Sequence, residues 1–490
     1  MAQTGARAAQ PSFSESDGSG IQKMDIVSNE DKTRKVSLVN GTMRFLYYES
    51  ILQDSIRATL SYSDAGNTIE KDGAQLSAME GLPIVGQENL QIKIQDNGGN
   101  ALEMVLYVNE VTPLTEDTRK SVVQLNLASR EYIWNEKVRV NKRFDGKISE
   151  SIKSLLEDEM YLGPTQEAKD AEGYKAKTLD IEPTSNTQNY IGNNKKPYYI
   201  INWLSRGAVP DIPGAKKNTA GFFFYETSKG LHFKSIDGLM DTDTNKPKKS
   251  YIYNESPDGS SGEIPAGYDA KALTYSVNNA VNVQNKLKMG AYSTRLITFN
   301  PFDCYYEVTT PNAGTGKATG ATAGGGENQP GDQKNLKLAG KKLPTLNPEF
   351  EITKKGREFS RTTYMVLDTG SLPEGKGLGE GQEQLGEKSQ QENYKPGEVL
   401  NQGIMRMNQL FALKTTITIP GDFSLHAGDA IYVDAPQLKT TKEGKGDSVD
   451  QQTGGNYIIS DLCHFMSPEN TLTKLTLVRD SFGRKAKERG

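Results

Sequence analysis

The sequence predicts a mainly β protein with a mixed α+β segment in its middle. Three features predict it. Apolar residues alternate with period two in two separate regions, turn clusters punctuate those runs, and one central stretch switches to helical spacing. A chain of 490 residues is long enough for two to four domains, each with its own core. Hydrophobic residues are only 35% and glycines number 48, the balance expected of well-formed strands diluted by long polar loops.

The first region runs over 36–140. In "SIRATLSY", Ile56, Ala58, Leu60 and Tyr62 alternate with Ser55, Arg57, Thr59 and Ser61, so the two sets face opposite sides of a sheet. The pattern recurs at Leu90, Ile92 and Ile94, at Leu102, Met104, Leu106 and Val108, and at Val123, Leu125 and Leu127. Turn clusters "SDAGN" and "QDNGGN" separate the runs, which predicts an antiparallel sandwich or barrel. Residues 1–35 precede it. Their opening, "MAQTGARAAQPSFSESDGSG", lacks an apolar segment and is expected to be a flexible arm, not a signal peptide.

Residues 141–290 form the mixed segment. In "DGKISESIKSLLEDEMYLG", Ile148, Ile152, Leu155, Leu156 and Met160 fall at helical spacing, with Asp145 as the expected N-cap and Gly163-Pro164 as the stop. "YYIINWLSRGAV" predicts a second short helix with Trp203 and Leu204 facing a core. "GFFFYETSKGLHFKSID" predicts two strands joined by a turn at Ser228–Gly230. Strands resume over 291–482, at "YMVLD", "KTTITIPG", "DAIYVDAP", "NYIISDL" and "LTKLTLVRD". Two Gly-rich polar stretches interrupt that region, 311–342 and 370–398. Neither can bury enough apolar surface to offset its ordering entropy, so both are expected to be peripheral and replaceable. A basic tail, 483–490, closes the chain.

Composition narrows the function. Charged residues are 24% and the net charge is −4, with no sign of a basic nucleic-acid face. Cys304 and Cys463 do not make a disulfide framework, and nothing requires an oxidising compartment. No run of 18 apolar residues predicts a transmembrane helix.

No stretch predicts a catalytic, cofactor or metal site. "GTGKATG" at 314–320 suggests a phosphate loop only superficially: Pro311 stands where the first glycine is needed and Ala318 where Ser or Thr is needed. Cys463 and His464 are neighbours on a strand and point to opposite faces, so they make no thiolate–imidazole pair, and both Cys463→Ala and His464→Ala are expected to be tolerated. His232, His426 and His464 show no i, i+4 pairing for a metal. Glu157, Asp158 and Glu159 diverge around a helix and read as a solvated face. "HAGD" pairs His426 with Asp429 in a tight connection between strands, with Gly428 supplying the permissive backbone. Without a nucleophile the dyad has no chemistry to perform, so it is a turn.

The C-terminal third carries a resemblance. A Leu-x-x-Gly-Asp turn at 425–429, a Tyr-Ile-Ile strand reaching a histidine at 457–464, and a Leu-x-Leu-Val-Arg-Asp strand at 475–480 stand in order. This set resembles the central baseplate hub of contractile-tailed bacteriophages, a family that includes late control D proteins and the hub portion of type VI secretion VgrG proteins. "YYESILQDSIRATLSYSDAG" is similar to the family's opening strand pair, and "KPYYIINWLSRGAV" with "GFFFYETSKGLHFKSIDGL" to its middle segment. The likeness covers most of 36–482; the Gly-rich insertions depart from it, and no fused lysozyme or spike segment is seen.

The resemblance implies two tail-tube-like antiparallel β-barrel domains, 36–140 and 291–482, beside the α+β segment 141–290, which can lend strands to either. It implies a homotrimer in the virion tail, six barrels around one axis, adapting a sixfold tail tube to a threefold spike. The implied partners are a separate spike protein, tail tube or tube-initiator proteins, surrounding baseplate wedge proteins and a tape measure protein, with DNA passing through non-specifically. The lumen is then expected to be polar and not strongly basic, because a Lys- and Arg-rich wall would hold phosphates. Two other classes compete. A virion-associated peptidoglycan hydrolase needs paired carboxylates or a metal site. A host-surface or carbohydrate-binding adhesin needs exposed aromatics, and the chain has only two tryptophans, Trp134 and Trp203.

Overall fold

The computed structural model describes residues 20–479 apart from several stretches, the longest being 212–219, 254–266, 279–293 (two residues excepted), 310–360, 369–392 and 436–453, with shorter gaps concentrated in 397–412. The loop 311–342, the "GTGKATG" stretch within it, most of 370–398 and the tail 483–490 lie outside the described residues.

The protein is mostly β. Its main body is a fourteen-stranded sheet. The N-terminal part contributes β1 (Gly20–Val27), β2 (Thr42–Ser50), β3 (Arg57–Asp64), β4 (Asn89–Gln95), β5 (Ala101–Glu116) and β6 (Ser121–Ala128). They pair antiparallel in the order β2-β3-β6-β5-β4-β1. β1 corrects the later part of the arm expected over 1–35, whose residues 1–19 lie outside the described residues. Met24 and Ile26 are fully buried, so the alternation extends upstream of Lys35 into a segment whose polar beginning masks it.

α1 (Arg130–Lys137) closes the first region, and the middle segment holds α2 (Ile148–Glu157) and α3 (Pro197–Ser205) and the hairpin β7 (Phe222–Thr227) and β8 (Gly230–Ser235). Ile148, Ile152, Leu155 and Leu156 of α2 pack with Ile200, Ile201 and Leu204 of α3 and with Phe222, Phe224 and Phe233 of the hairpin. Trp203 packs against this core only in part, edge-on to Tyr190 at 5.4 Å. The N-cap of α2 is Lys147, not Asp145, whose carboxylate instead pairs with Arg143 at 2.7 Å. The segment also sends β9 (Thr274–Asn278) into the main sheet.

The region expected to be one β body from 291 divides. β10 (Thr294–Asn300), β11 (Tyr305–Thr309) and β12 (Arg361–Val366) form a separate three-stranded sheet, order β11-β10-β12. β13 (Leu413–Pro420), β14 (Ala430–Asp434), β15 (Gly455–Met466) and β16 (Thr471–Arg479) join the main sheet. A second correction concerns 370–398. Asn393 at its end hydrogen-bonds both ways to the Asn189 backbone, at 2.6 and 3.0 Å, and Tyr394 packs beside Val209 and Val399, so that end is not peripheral.

β15 joins the two halves. On one edge it pairs with β14 through 455–458 and then with β2 through 461–466; on the other it pairs with β16. A register irregularity between Ile459 and Asp461 marks the change of partner, the bend a β-bulge supplies. One core consequently contains Leu60, Leu106 and Leu125 from the first region together with Ile417, Leu462 and Leu475 from the last.

Candidate functional site: a polar sheet face

The register places one side-chain row across six strands: Thr274, Thr418, Lys474, Cys463, Tyr48 and Arg57. A neighbouring row is Ser276, Thr416, Thr476, Asp461 and Ser50. On β3, β6 and β5 the same face continues as Thr59, Asn126 and Glu110, and then Ser61, Gln124 and Thr112; in the Thr59 row β2, β15 and β16 set the half-buried Leu46, Phe465 and Leu472 among these polar groups. The opposite face carries Ile417, Leu475, Leu462, Tyr47, Ala58 and Leu127, all buried. Period two therefore makes one wall of a continuous core and one polar wall from β9 to β5.

That polar wall is mainly hydroxyl and amide. Its groups bond to one another: Thr274 Oγ1 donates to Thr418 Oγ1 at 2.8 Å, Asn126 Nδ2 to Glu110 Oε2 at 2.8 Å, and Ser50 Oγ to Asp461 Oδ1 at 2.6 Å. Its charges are of both signs: Arg44, Arg57, Lys414 and Lys474, with Glu110 and Asp461 among them.

Behind the wall lies a buried polar junction. Glu49 continues the core-facing set of β2 after Phe45 and Tyr47. Its carboxylate accepts from Tyr47 Oη at 2.7 Å, Ser228 N at 2.8 Å and Ala427 N at 2.9 Å, and meets His426 Nδ1 at 3.2 Å. Burial pushes the carboxyl up, but His426 and these hydrogen bonds more than offset it and hold it below the usual carboxylate range. Ser228 Oγ lies 3.4 Å from the same His426 Nδ1. Serine, histidine and glutamate are thus brought together, yet they are not a hydrolase triad: nucleophile and carboxylate must occupy different ring nitrogens, and here both address Nδ1.

The turn "HAGD" belongs to this junction. His426 N donates to Asp429 Oδ2 at 2.9 Å. Gly428 has φ +87°, and a Cβ there would fall 2.2 Å from Tyr225 Oη, so conformation and close approach both require glycine.

The other sequence candidates stand apart. Cys463 is half-buried on the polar face. His464 is buried on the core face, stacked on Tyr47 at 5.9 Å, edge-on to Phe423 at 4.9 Å and bonded through Nδ1 to Thr473 Oγ1 at 2.8 Å. Burial lowers its pKa to about 4, so it is neutral at physiological pH. The expectation that both variants are tolerated therefore changes. Cys463→Ala should cost under about 1 kcal/mol, and His464→Ala, which empties a packed aromatic site, about 2–4 kcal/mol. Parallel thermal melts of the two variants check the difference. His232 is held by Asp180 at 3.2 Å and Thr227 at 2.9 Å. Glu157 and Glu159 are exposed beside Lys153 and Lys169, and Trp134 lies under Arg130 and Lys137. No group of three or more His, Cys, Asp or Glu suited to a metal occurs among the described residues, and no helix among them is long and apolar enough to cross a membrane.

A cleft of about 380 Å³ lies between α1, the segment 169–179 and β8, and most of its charges are engaged. Lys175 pairs with Glu103 at 2.7 Å, and Arg130 donates to the Leu162 and Gly163 carbonyls at 3.2 Å each. Lys177 pairs with both Glu131 and Glu226. Sequence reading missed Glu49, Glu131, Lys177 and Glu226. Glu49 and Glu226 carried a signal, a carboxylate at a core position of an apolar strand; Lys177 carried none.

No protein-family model matches the chain, and no curated protein matches it. Solved structures do. A tail protein from Neisseria meningitidis is similar over 94% of this chain and 96% of its own, at 9% identity and a TM-score of 0.46. The 43 kDa tail protein of prophage MuSo2 from Shewanella oneidensis is similar over 94% and 98%, also at 9% identity and 0.46. A Francisella PdpA–VgrG complex is similar over 96% of this chain and 60% of that one, at 8% identity and 0.38. The structural neighbours are thus phage tail and VgrG proteins. At such low similarity the chain's own residues must carry its function.

Proposed function

We propose that this chain is a structural baseplate hub of a contractile phage tail, with no catalytic role. Three copies form a ring in which residues 36–140 and the main-sheet strands of 291–482 act as two tube-like barrels each, six in all. The ring adapts a sixfold tube to a threefold spike, a separate chain, and the polar face forms part of the DNA conduit. Tube or tube-initiator, wedge and tape measure proteins are its neighbours in the virion.

The observation that carries this reading is the polar wall. One sheet runs through both β-rich regions, with its apolar side on the core and a hydroxyl- and amide-rich side facing away. Such a wall spaces Arg44, Arg57, Lys414 and Lys474 among carboxylates, hydroxyls and amides, so a sliding polyanion meets scattered cations rather than a wall of Lys and Arg. Closed cyclic assembly would also hide strand edges and subunit surfaces together.

The test is the purified chain's mass by light scattering, followed by imaging. The expected result is three copies around an open channel lined by the face that carries Thr59, Thr416 and Thr476. A monomer, a solid interior, or a channel lined mainly by Lys and Arg overturns it.

A further inference from the structure

The small sheet β11-β10-β12 has its pattern inside out. A sheet with one buried side ordinarily turns polar residues to water. Here Leu296 and Thr298 of β10 are buried, while the side facing away carries Ile297, Phe299, Tyr306, Val308, Tyr364 and Val366. The register aligns these in two rows, Val308–Ile297–Tyr364 and Tyr306–Phe299–Val366. Exposure is large: 77% for Tyr364, 67% for Val366 and 65% for Tyr306. Glu307 and Tyr305 of β11 alternate to the other side, where both are also exposed, so the buried face of this sheet is that of β10.

We infer that this face is a subunit interface, covered by a second copy of this chain in the assembled ring; the inference rests on the hub reading. Two arguments select that occupant. The first is area. The six side chains together expose on the order of 500 Å², toward the upper end of the largest patch a typical monomer leaves and more than half of the ~800 Å² per partner of a stable interface. The second is composition. Interfaces with partners that come and go are about as polar as the rest of a surface, whereas permanent homo-oligomer interfaces are more apolar. Two rows of aromatic and β-branched residues without a formal charge are of the second kind. β11 and β12 each pair only with β10 among the described residues, so their outer edges also gain from cover.

The experiment uses the full chain. A photo-crosslinking benzoylphenylalanine is placed at Tyr364, and separately the double variant Tyr364→Glu/Val366→Glu is weighed by light scattering, with circular dichroism to show that it folds. Crosslinks between two copies in pure protein, and a folded double variant of one-third the wild-type mass, are the expected results. Wild-type trimer whose crosslinks stay within one chain overturns the interface while leaving the hub reading intact. Crosslinks that form only after other tail proteins are added overturn the assignment to a second copy. A monomeric wild-type chain overturns the hub reading and this inference with it.

Discussion

Replacing Lys177 by methionine is expected to destabilise the protein by about 3–5 kcal/mol at neutral pH, the cost of leaving a buried charge without its partner. Lys177 stands between two carboxylates, Glu131 on α1 and Glu226 on β7. The Glu226 side chain is fully buried, and its other oxygen accepts the Ile56 backbone N–H at 3.2 Å, so the network ties the middle segment to the main sheet. Burial raises the Glu226 pKa and Lys177 works against it; without Lys177 two buried carboxylates face one another. The sign follows. A carboxyl whose folded pKa is raised binds more protons folded than unfolded, so lowering the pH stabilises the folded state. The deficit of Lys177→Met against wild type should therefore be larger at pH 8 than at pH 5. Adding Glu131→Gln should recover part of it, as a double-mutant cycle in denaturant would show. A deficit independent of pH would mean that the network is not charged as described.

Much of the fold was legible because period two is a strong signal wherever one sheet face is buried. Ile56 to Tyr62, Ile417 to Ile419 and the 471–479 strand are ordinary core alternation. Three features were not legible, each for a physical reason. β1 follows a polar opening, and composition over the first 35 residues outweighs the short alternation at Met24 and Ile26. The pairing of β2 with β15 joins residues about 415 apart, and strand pairing partners leave no local trace. The β10–β12 sheet reads as ordinary strands until burial shows that its more apolar side faces out.

The polar wall was hidden differently. Its members, Thr59, Thr416, Thr476 and Gln124, are each the outward half of an alternating strand. A net charge of −4 said only that no strongly basic face was required. It is the register that turns scattered hydroxyls into a surface, so the feature on which the proposed function rests belongs to topology and not to any motif. The buried polar groups belong to topology too: Glu49 looks like a break in the β2 pattern until the turns at 228 and 427 are brought against it.

Glu49→Ala should be comparably damaging, at about 3–5 kcal/mol, because it orphans several buried donors at once. The Tyr47 hydroxyl and the Ser228 and Ala427 N–H groups lose their acceptor, and His426 loses its charged neighbour. Those donors come from β2, from the β7–β8 turn and from the "HAGD" turn, so one side chain fixes three segments that meet nowhere else in sequence. Glu49→Gln keeps the shape and one acceptor but sets an amide N–H₂ against donors, and it should recover less than half of the loss. The pH dependence has the opposite sign to that at Lys177. The folded Glu49 pKa lies below its unfolded value, so its contribution is present above the ordinary carboxylate range and is lost as pH falls through and below it. Urea denaturation followed by tyrosine and tryptophan fluorescence at pH 7 and pH 4 gives the comparison. Wild type should lose stability on acidification, while Glu49→Ala, already without the carboxylate, should lose less. Equal losses in the two proteins would assign the acid sensitivity to other groups and reduce Glu49 to a packing residue.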